Sequence, residues 1–227
     1  IVPTLARITG YPLTQADDLF DATENLDSFV RVSSCLKACA VNLSKMCNDL
    51  RILASGPKAG FGEITLPAMQ NGSSIMPGKV NPVIPEVVSQ VAFHIIGHDT
   101  TITMAAEAGQ MELNAFEPVI FYNLFDSITT LTHAVDTLVD NCILGITANR
   151  ERCKELLDAS VGITTALCPY IGYKKAAKLA KESLANNVPV KTLVLKYHLM
   201  KEKELNAVLD PYSMTGSKDG SIQEKAM

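Results

Sequence analysis

Apolar residues recur at 3,4,3,4 spacing through Phe29, Val32, Leu36, Cys39, Leu43, Met46, Leu50 and Leu53, and again through Leu124, Ile128, Leu131, Val135, Leu138 and Cys142. Between these runs, Ile84, Val87, Val88, Val91, Ala92, Ile95 and Ile96 mark one face of a third helix. A period near 3.5 sustained this far demands long helices lying side by side at small crossing angles. A helix of about 28 residues is roughly 42 Å long. Such a helix needs neighbours along its whole length, and the core of a large bundle shared between subunits supplies them. Alternating strand patterns joined by hairpin turns do not occur. The expected fold class is all-α.

Beyond residue 150 the periodic segments shorten, to about 150–160, 171–186, 189–199 and 202–209, punctuated by Pro169, Pro189 and Pro211. Gly145 is expected to end the third long helix, and Thr147 or Asn149 to cap the next, with Glu151 in its first turn. This gives residues 1–150 as part of a long-helix bundle domain, 151–212 as a small helical C-terminal domain and 213–227 as a disordered polar tail. The opening IVPTLARITG carries no helix-start signal and begins with Ile1, so the chain reads as a fragment or a cleaved product.

Composition excludes several classes of function. With 227 residues, 47% hydrophobic, the chain can build a substantial core. A net charge of −4 without a basic block argues against nucleic acid, and no apolar run reaches membrane-spanning length. Mean hydropathy is +0.15, a sign of surface buried against partner chains. The cysteines (35, 39, 47, 142, 153 and 168) form no CxxC pair, which fits a reduced, cytoplasmic setting. Cys35 and Cys39, one turn apart among apolar neighbours, are expected to be small buried residues on one helix face.

One segment breaks the helical pattern. Residues 72–82 read GSSIMPGKVNP. Gly72 and Gly78 permit backbone conformations closed to other residues, while Pro77 and Pro82 fix φ. The result is a loop of defined shape whose only fixed charge is Lys79. Ser73, Ser74, Asn81 and the free N–H groups can donate to an anion, above all a carboxylate. Removing a proton from the carbon beside a carboxylate places a second negative charge on that group, giving an enediolate-like species. Donors held ready for that charge contribute about 3–4 kcal/mol each in a dry site. A base must also reach the proton. Serine is a base only where positive charge and donors stabilise its alkoxide, and the residues alone leave Ser73 and Ser74 as alternatives.

GSSIMPGKVNP resembles the signature loop of the aspartase/fumarase superfamily, whose members eliminate ammonia, water or an amine from succinate-type substrates. The resemblance extends over residues 1–212, through ATENLDSFV, TITMAAEAG, EAGQMELNAFEP and LDPYSM. It implies that Ser73 is the base taking the C3 proton. It further implies that Ser74, Ile75 and Met76 donate to the carboxylate that becomes the enediolate, and that Lys79 and Asn81 bind substrate. Glu86 would support the site by pairing with a histidine from the other half of the protein, and Gly72 and Gly78 would hinge a mobile loop. After Asn81-Pro82 the chain reads VIPEVV, similar to ammonia-lyase members, where fumarase-type hydratases usually read TQCEA. The implied reaction is the reversible conversion of L-aspartate to fumarate and ammonia. The alternatives are a fumarase-type hydratase and a helical assembly fragment without catalysis. No redox or organic cofactor is implied, and activation by Mg²⁺ is left open.

The resemblance also implies a homotetramer with each active site built from three subunits. Family members are about twice this length, and no segment here matches the half that grips the α-carboxylate and amine. The chain alone is therefore expected to have little or no activity. Cys168 stands where members commonly carry asparagine, with an expected effect on packing or loop support in the small domain.

Other residues carry blander readings. His94 and His98 have metal-binding spacing, but the sequence offers no third ligand nearby, and no metal site is assigned. His133 and His198 are given structural roles. Glu107, Glu112 and Glu117, five apart, are expected to be spread around a helix, with a solvated or interface role. Lys174, Lys175, Lys178 and Lys181 form a solvated helix face.

Overall fold

The computed structural model describes residues 1–70, 72, 75–76 and 78–215. The chain divides into two compact units, Ile1–Ala148 and Asn149 onward. The first is dominated by three long helices, α3 (Asp27–Leu53), α4 (Val83–Glu107) and α5 (Glu117–Asn141). Two short helices precede them, α1 (Val2–Thr9) and α2 (Leu19–Glu24). The protein is all-α, as its periodicity requires; its only sheet among the described residues pairs β1 (Ile64–Thr65) with β2 (Thr147–Ala148) antiparallel.

The three long helices bury a face displaced from the most hydrophobic one in α3. Val32, Cys39 and Met46 are exposed, whereas Ser33, Ala40, Ser44 and Cys47 are buried. Small residues bring the α3 backbone close to α4, where Ala92 and Ser89 are likewise buried. Leu36 and Leu43 then pack against Ala40, Ala92, Ile95 and Leu131. Below lies a cluster of Cys47, Val88, Ala134, Leu138 and Cys142; above lies one of Leu26, Ile102, Ala105, Ile120 and Leu124. Each fully buried Ile or Leu contributes about 1.5–3 kcal/mol.

The expectation that Cys35 and Cys39 are buried is corrected: both are exposed in this chain, and Cys47 and Cys142 are the buried pair. Burial, reinforced by the adjacent Cys142, pushes the Cys47 thiol up to about 11, against a smaller opposing pull from Arg51. Burial raises Cys142 as well. Thiolate is the reactive form, so a thiol disulfide reagent at neutral pH should modify Cys35 and Cys39 promptly in the native 227-residue chain and reach Cys47 and Cys142 only on unfolding. Mass spectrometry of the labelled peptides checks this; early labelling of Cys47 would contradict the packing.

Two polar devices set the helices against one another. Asp99 of α4 is buried and accepts from Ser33 Oγ at 2.8 Å, Ser34 Oγ at 3.3 Å and Lys37 Nζ at 2.5 Å, all on α3. Burial pushes its carboxyl up, but the hydrogen bonds from Lys37 and Ser33 and the Lys37 charge outweigh that and hold it below the ordinary value. At the α4–α5 connection, buried Asn114 donates to the Ala105 and Ala106 carbonyls at 3.0 and 3.1 Å. Its side-chain oxygen accepts from the Phe116 N–H at 2.8 Å, and its own N–H donates to the Thr23 carbonyl at 3.2 Å. The side-chain amide thus closes the end of α4 and opens α5, while the main chain of the same residue ties in α2. Asn114→Ala should cost about 1–3 kcal/mol in urea unfolding, because it strips partners from backbone groups at a buried turn; a loss below ~0.5 kcal/mol would show that water replaces the amide.

The same connection corrects the reading of the three glutamates. Glu107 ends α4, Glu112 lies in the turn and Glu117 begins α5, so they do not share one helix. At the far end, α5 stops at Asn141, and Gly145 instead closes a short 3₁₀ turn, Ile143–Gly145. Gly145 is required by close approach: a Cβ there would lie 2.4 Å from Pro67 Cγ. The opening segment does form a helix, with Pro3 in its first turn, a start signal the sequence reading passed over.

The second unit contains α6 (Arg150–Ala159), α7 (Thr164–Ile171), α8 (Tyr173–Asn186), α9 (Val190–Lys196), α10 (Glu202–Val208) and α11 (Pro211–Met214). Asn149 precedes α6 and Glu151 sits in its first turn. The core gathers Ile163, Leu167, Leu179, Val190, Leu193, Val194, Met200 and Leu205. Pro169 lies inside α7 rather than between helices; Gly172, at φ 81°, ends that helix. Cys168 sits within the same helix, its thiol 3.5 Å from the Thr164 carbonyl, so its contact is helical and not part of a loop. Lys174, Lys175, Lys178 and Lys181 are exposed on α8. Pro211–Met214 is helical, so the expected tail from residue 213 begins inside a helix; residues 216–227 lie outside the described residues. Among the described residues no helix is long and apolar enough to cross a membrane.

Candidate active site

The loop that interrupts the helical pattern lies between β1 and α4. The β1–β2 pair and the Pro67–Gly145 contact fasten its approach to the exit of α5. Its departure is α4, whose first turn holds Pro85 and Glu86. Between these anchors Gly72 lies against the Lys79 main chain. A Cβ on Gly72 would meet the Lys79 carbonyl oxygen at 2.6 Å, so no larger residue fits there without moving backbone. Gly78 has open space around it but a φ of 81°, which favours glycine for a different reason. The Lys79 N–H donates to the Met76 carbonyl at 3.2 Å, closing the turn.

Of the expected site residues, Ser73 and Ser74 lie outside the described residues. Ile75 is 86% exposed and Met76 half exposed. Lys79 is exposed beside them, while Asn81 is half-buried and its carbonyl accepts from the Val83 N–H at 2.9 Å. The Glu86 N–H donates to the Pro82 carbonyl at 3.2 Å as α4 begins. The Glu86 carboxylate stands 3.7 Å from Arg51 Nη2, at the end of α3. Sequence reasoning missed Arg51 because nothing local connects the last turn of one helix to the first turn of the next. Lys79 lies four residues before α4, a 25-residue helix, and positive charge together with a helix N-terminus suits an anion.

A long-helix bundle that carries a lysine-bearing Gly-Pro loop at the start of a core helix defines a narrow class. The family described as "Lyase" matches residues 1–97, and that described as "Fumarase C C-terminus" matches residues 163–216. The aspartate ammonia-lyase of a Bacillus species is 54% identical over 211 residues, covering 93% of this chain and 45% of the relative. The enzyme of the same name from Bacillus subtilis is 49% identical, covering 95% of this chain and 45% of the relative. Among solved structures, a fumarate lyase:delta crystallin from Brucella melitensis bound to cobalt superposes with a TM-score of 0.88 at 47% identity, covering 94% of this chain and 46% of that one. A class II fumarase from Schistosoma mansoni gives 0.83 at 31% identity, covering 96% and 48%. The chain belongs to the aspartase/fumarase superfamily, and it spans about half the length of the curated relatives it matches.

Proposed function

We propose that this chain is part of an aspartate ammonia-lyase, which reversibly converts L-aspartate to fumarate and ammonia. The observation that carries the reading is 54% identity to an aspartate ammonia-lyase over 93% of the chain, signature loop included. Ser73 abstracts the C3 proton, and the donors of Ser74, Ile75 and Met76 hold the carboxylate as it becomes an enediolate. Lys79 offsets the accumulating charge, and Asn81 fixes the substrate. Glu86 supports the site through a histidine from the part of the protein outside this chain, while Gly72 and Gly78 let the loop close. The reaction needs no redox or organic cofactor, since the proton and the amine leave without net oxidation; a role for Mg²⁺ as activator stays open.

The assembly proposed is a homotetramer whose sites draw on three subunits. Its support is the apolar surface on the long helices: Phe93 and Phe125 are 62% and 63% exposed, and Val32, Met46, Met104 and Tyr122 are exposed as well. In this reading the chain alone lacks substrate contacts and has little or no activity.

A fumarase-type hydratase is the second reading, favoured by the match of residues 163–216 to the fumarase C-terminal family. The reverse reaction separates the two. A polypeptide of the relatives' full length that carries this sequence, supplied with fumarate and ammonium, should form aspartate. Malate formation from fumarate and water in its place would select the hydratase. Sedimentation of the same sample tests the tetramer.

A further inference from the structure

We propose that His94, His98 and Asp126 form a site for a divalent transition-metal ion, separate from the signature loop. The two histidines stand one turn apart on α4, with ring centroids 4.0 Å apart. Asp126 comes from α5, which packs alongside. His94 Nε2 is 3.1 Å from Asp126 Oδ2, and His98 Nδ1 is 3.7 Å from the same oxygen. The three atoms all lie within 4.8 Å of one another. Ligand atoms at about 2.0–2.1 Å around a tetrahedral ion are separated by roughly 3.3 Å. The two measured separations bracket that value, so an ion fits with small side-chain shifts.

A simple ion pair would need one imidazole and one carboxylate. Here two imidazoles converge on one oxygen, an arrangement that two protonated rings would resist. Burial, and next the neighbouring His94, hold His98 below its ordinary value despite Asp126 and a hydrogen bond at Asn123. Ser127 Oγ lies 3.0 Å from His98 Nδ1, close enough to meet a metal-bound water once the ring is ligated. Two imidazoles with one carboxylate favour Zn²⁺, Co²⁺ or Ni²⁺ over Mg²⁺ or Ca²⁺. Three protein ligands leave a position for water, and in the chain by itself the 54% exposure of the His94 side chain gives an ion access.

The test uses the full chain with Cys35 and Cys39 replaced by serine in every protein compared, which removes an exposed thiol pair as a rival ligand set. Titration calorimetry with Zn²⁺ should show one equivalent bound, weakened at least about tenfold in H94A and again in D126N. Co²⁺ should give the intense visible bands of a low-coordinate centre, lost in both variants, while far-ultraviolet circular dichroism confirms that they keep their helices. Zn²⁺ should raise the melting temperature of the parent and leave D126N unmoved. Equal Zn²⁺ affinity in parent and variants would overturn the proposal. So would no binding, or a weak six-coordinate Co²⁺ spectrum; the cluster would then be a His94–Asp126 ion pair only.

Discussion

Ser73→Ala, placed in a polypeptide of the relatives' full length, is expected to lower kcat for fumarate formation from L-aspartate by about 10²–10⁴, the range a positioned general base contributes. KM should move little, because the hydroxyl acts on the proton and not on the carboxylates. The assembly should be unchanged, since the change removes one hydroxyl and leaves every residue of the helical core clusters as it is. Ser74→Ala should cost less, because a backbone N–H at that position survives the change. The pairing separates the two serines, which the residues alone leave as alternatives. Wild-type kcat in Ser73→Ala would place the base elsewhere.

The largest effect on stability is expected from Asp99→Ala. Its carboxylate collects two serine hydroxyls and a lysine from α3, and the residue itself is 4% exposed. Removing one member of a buried ion pair costs about 3–5 kcal/mol, and the lower end applies because Lys37 is 41% exposed and can turn to water. Asp99→Asn keeps the shape and one acceptor but loses the charge, so it should fall between wild type and alanine. Urea unfolding followed by circular dichroism measures both. A loss under ~1 kcal/mol for Asp99→Ala would mean that apolar packing alone sets α3 against α4.

Much of the helical scaffold was legible because a 3.5-residue stripe has one physical solution at that length. The choice of buried face was less legible. In α3 the visible stripe through Val32, Cys39 and Met46 faces outward, and the packed line runs through Ser33, Ala40, Ser44 and Cys47. Side-chain hydropathy favours the first line, and close approach of backbones favours the second. α1 was missed although Pro3 stands in its first turn, and β1 and β2 are two residues each, too short to alternate. Within the loop, composition pointed to a turn shaped by glycine, as the φ of 81° at Gly78 bears out, but not that Gly72 is held against the Lys79 carbonyl. Arg51 beside Glu86 and Asp126 beside the two histidines are products of tertiary packing. Each joins helices distant in sequence, and no local spacing encodes either pair.

The most direct measurement is the release of fumarate, followed by its ultraviolet absorbance, from L-aspartate and separately from L-malate by a polypeptide of the relatives' full length that carries this sequence. The expected result is fumarate from L-aspartate, slowed by about 10²–10⁴ in Ser73→Ala, with little or none from L-malate. Fumarate from L-malate alone would contradict the assignment and make the protein a hydratase.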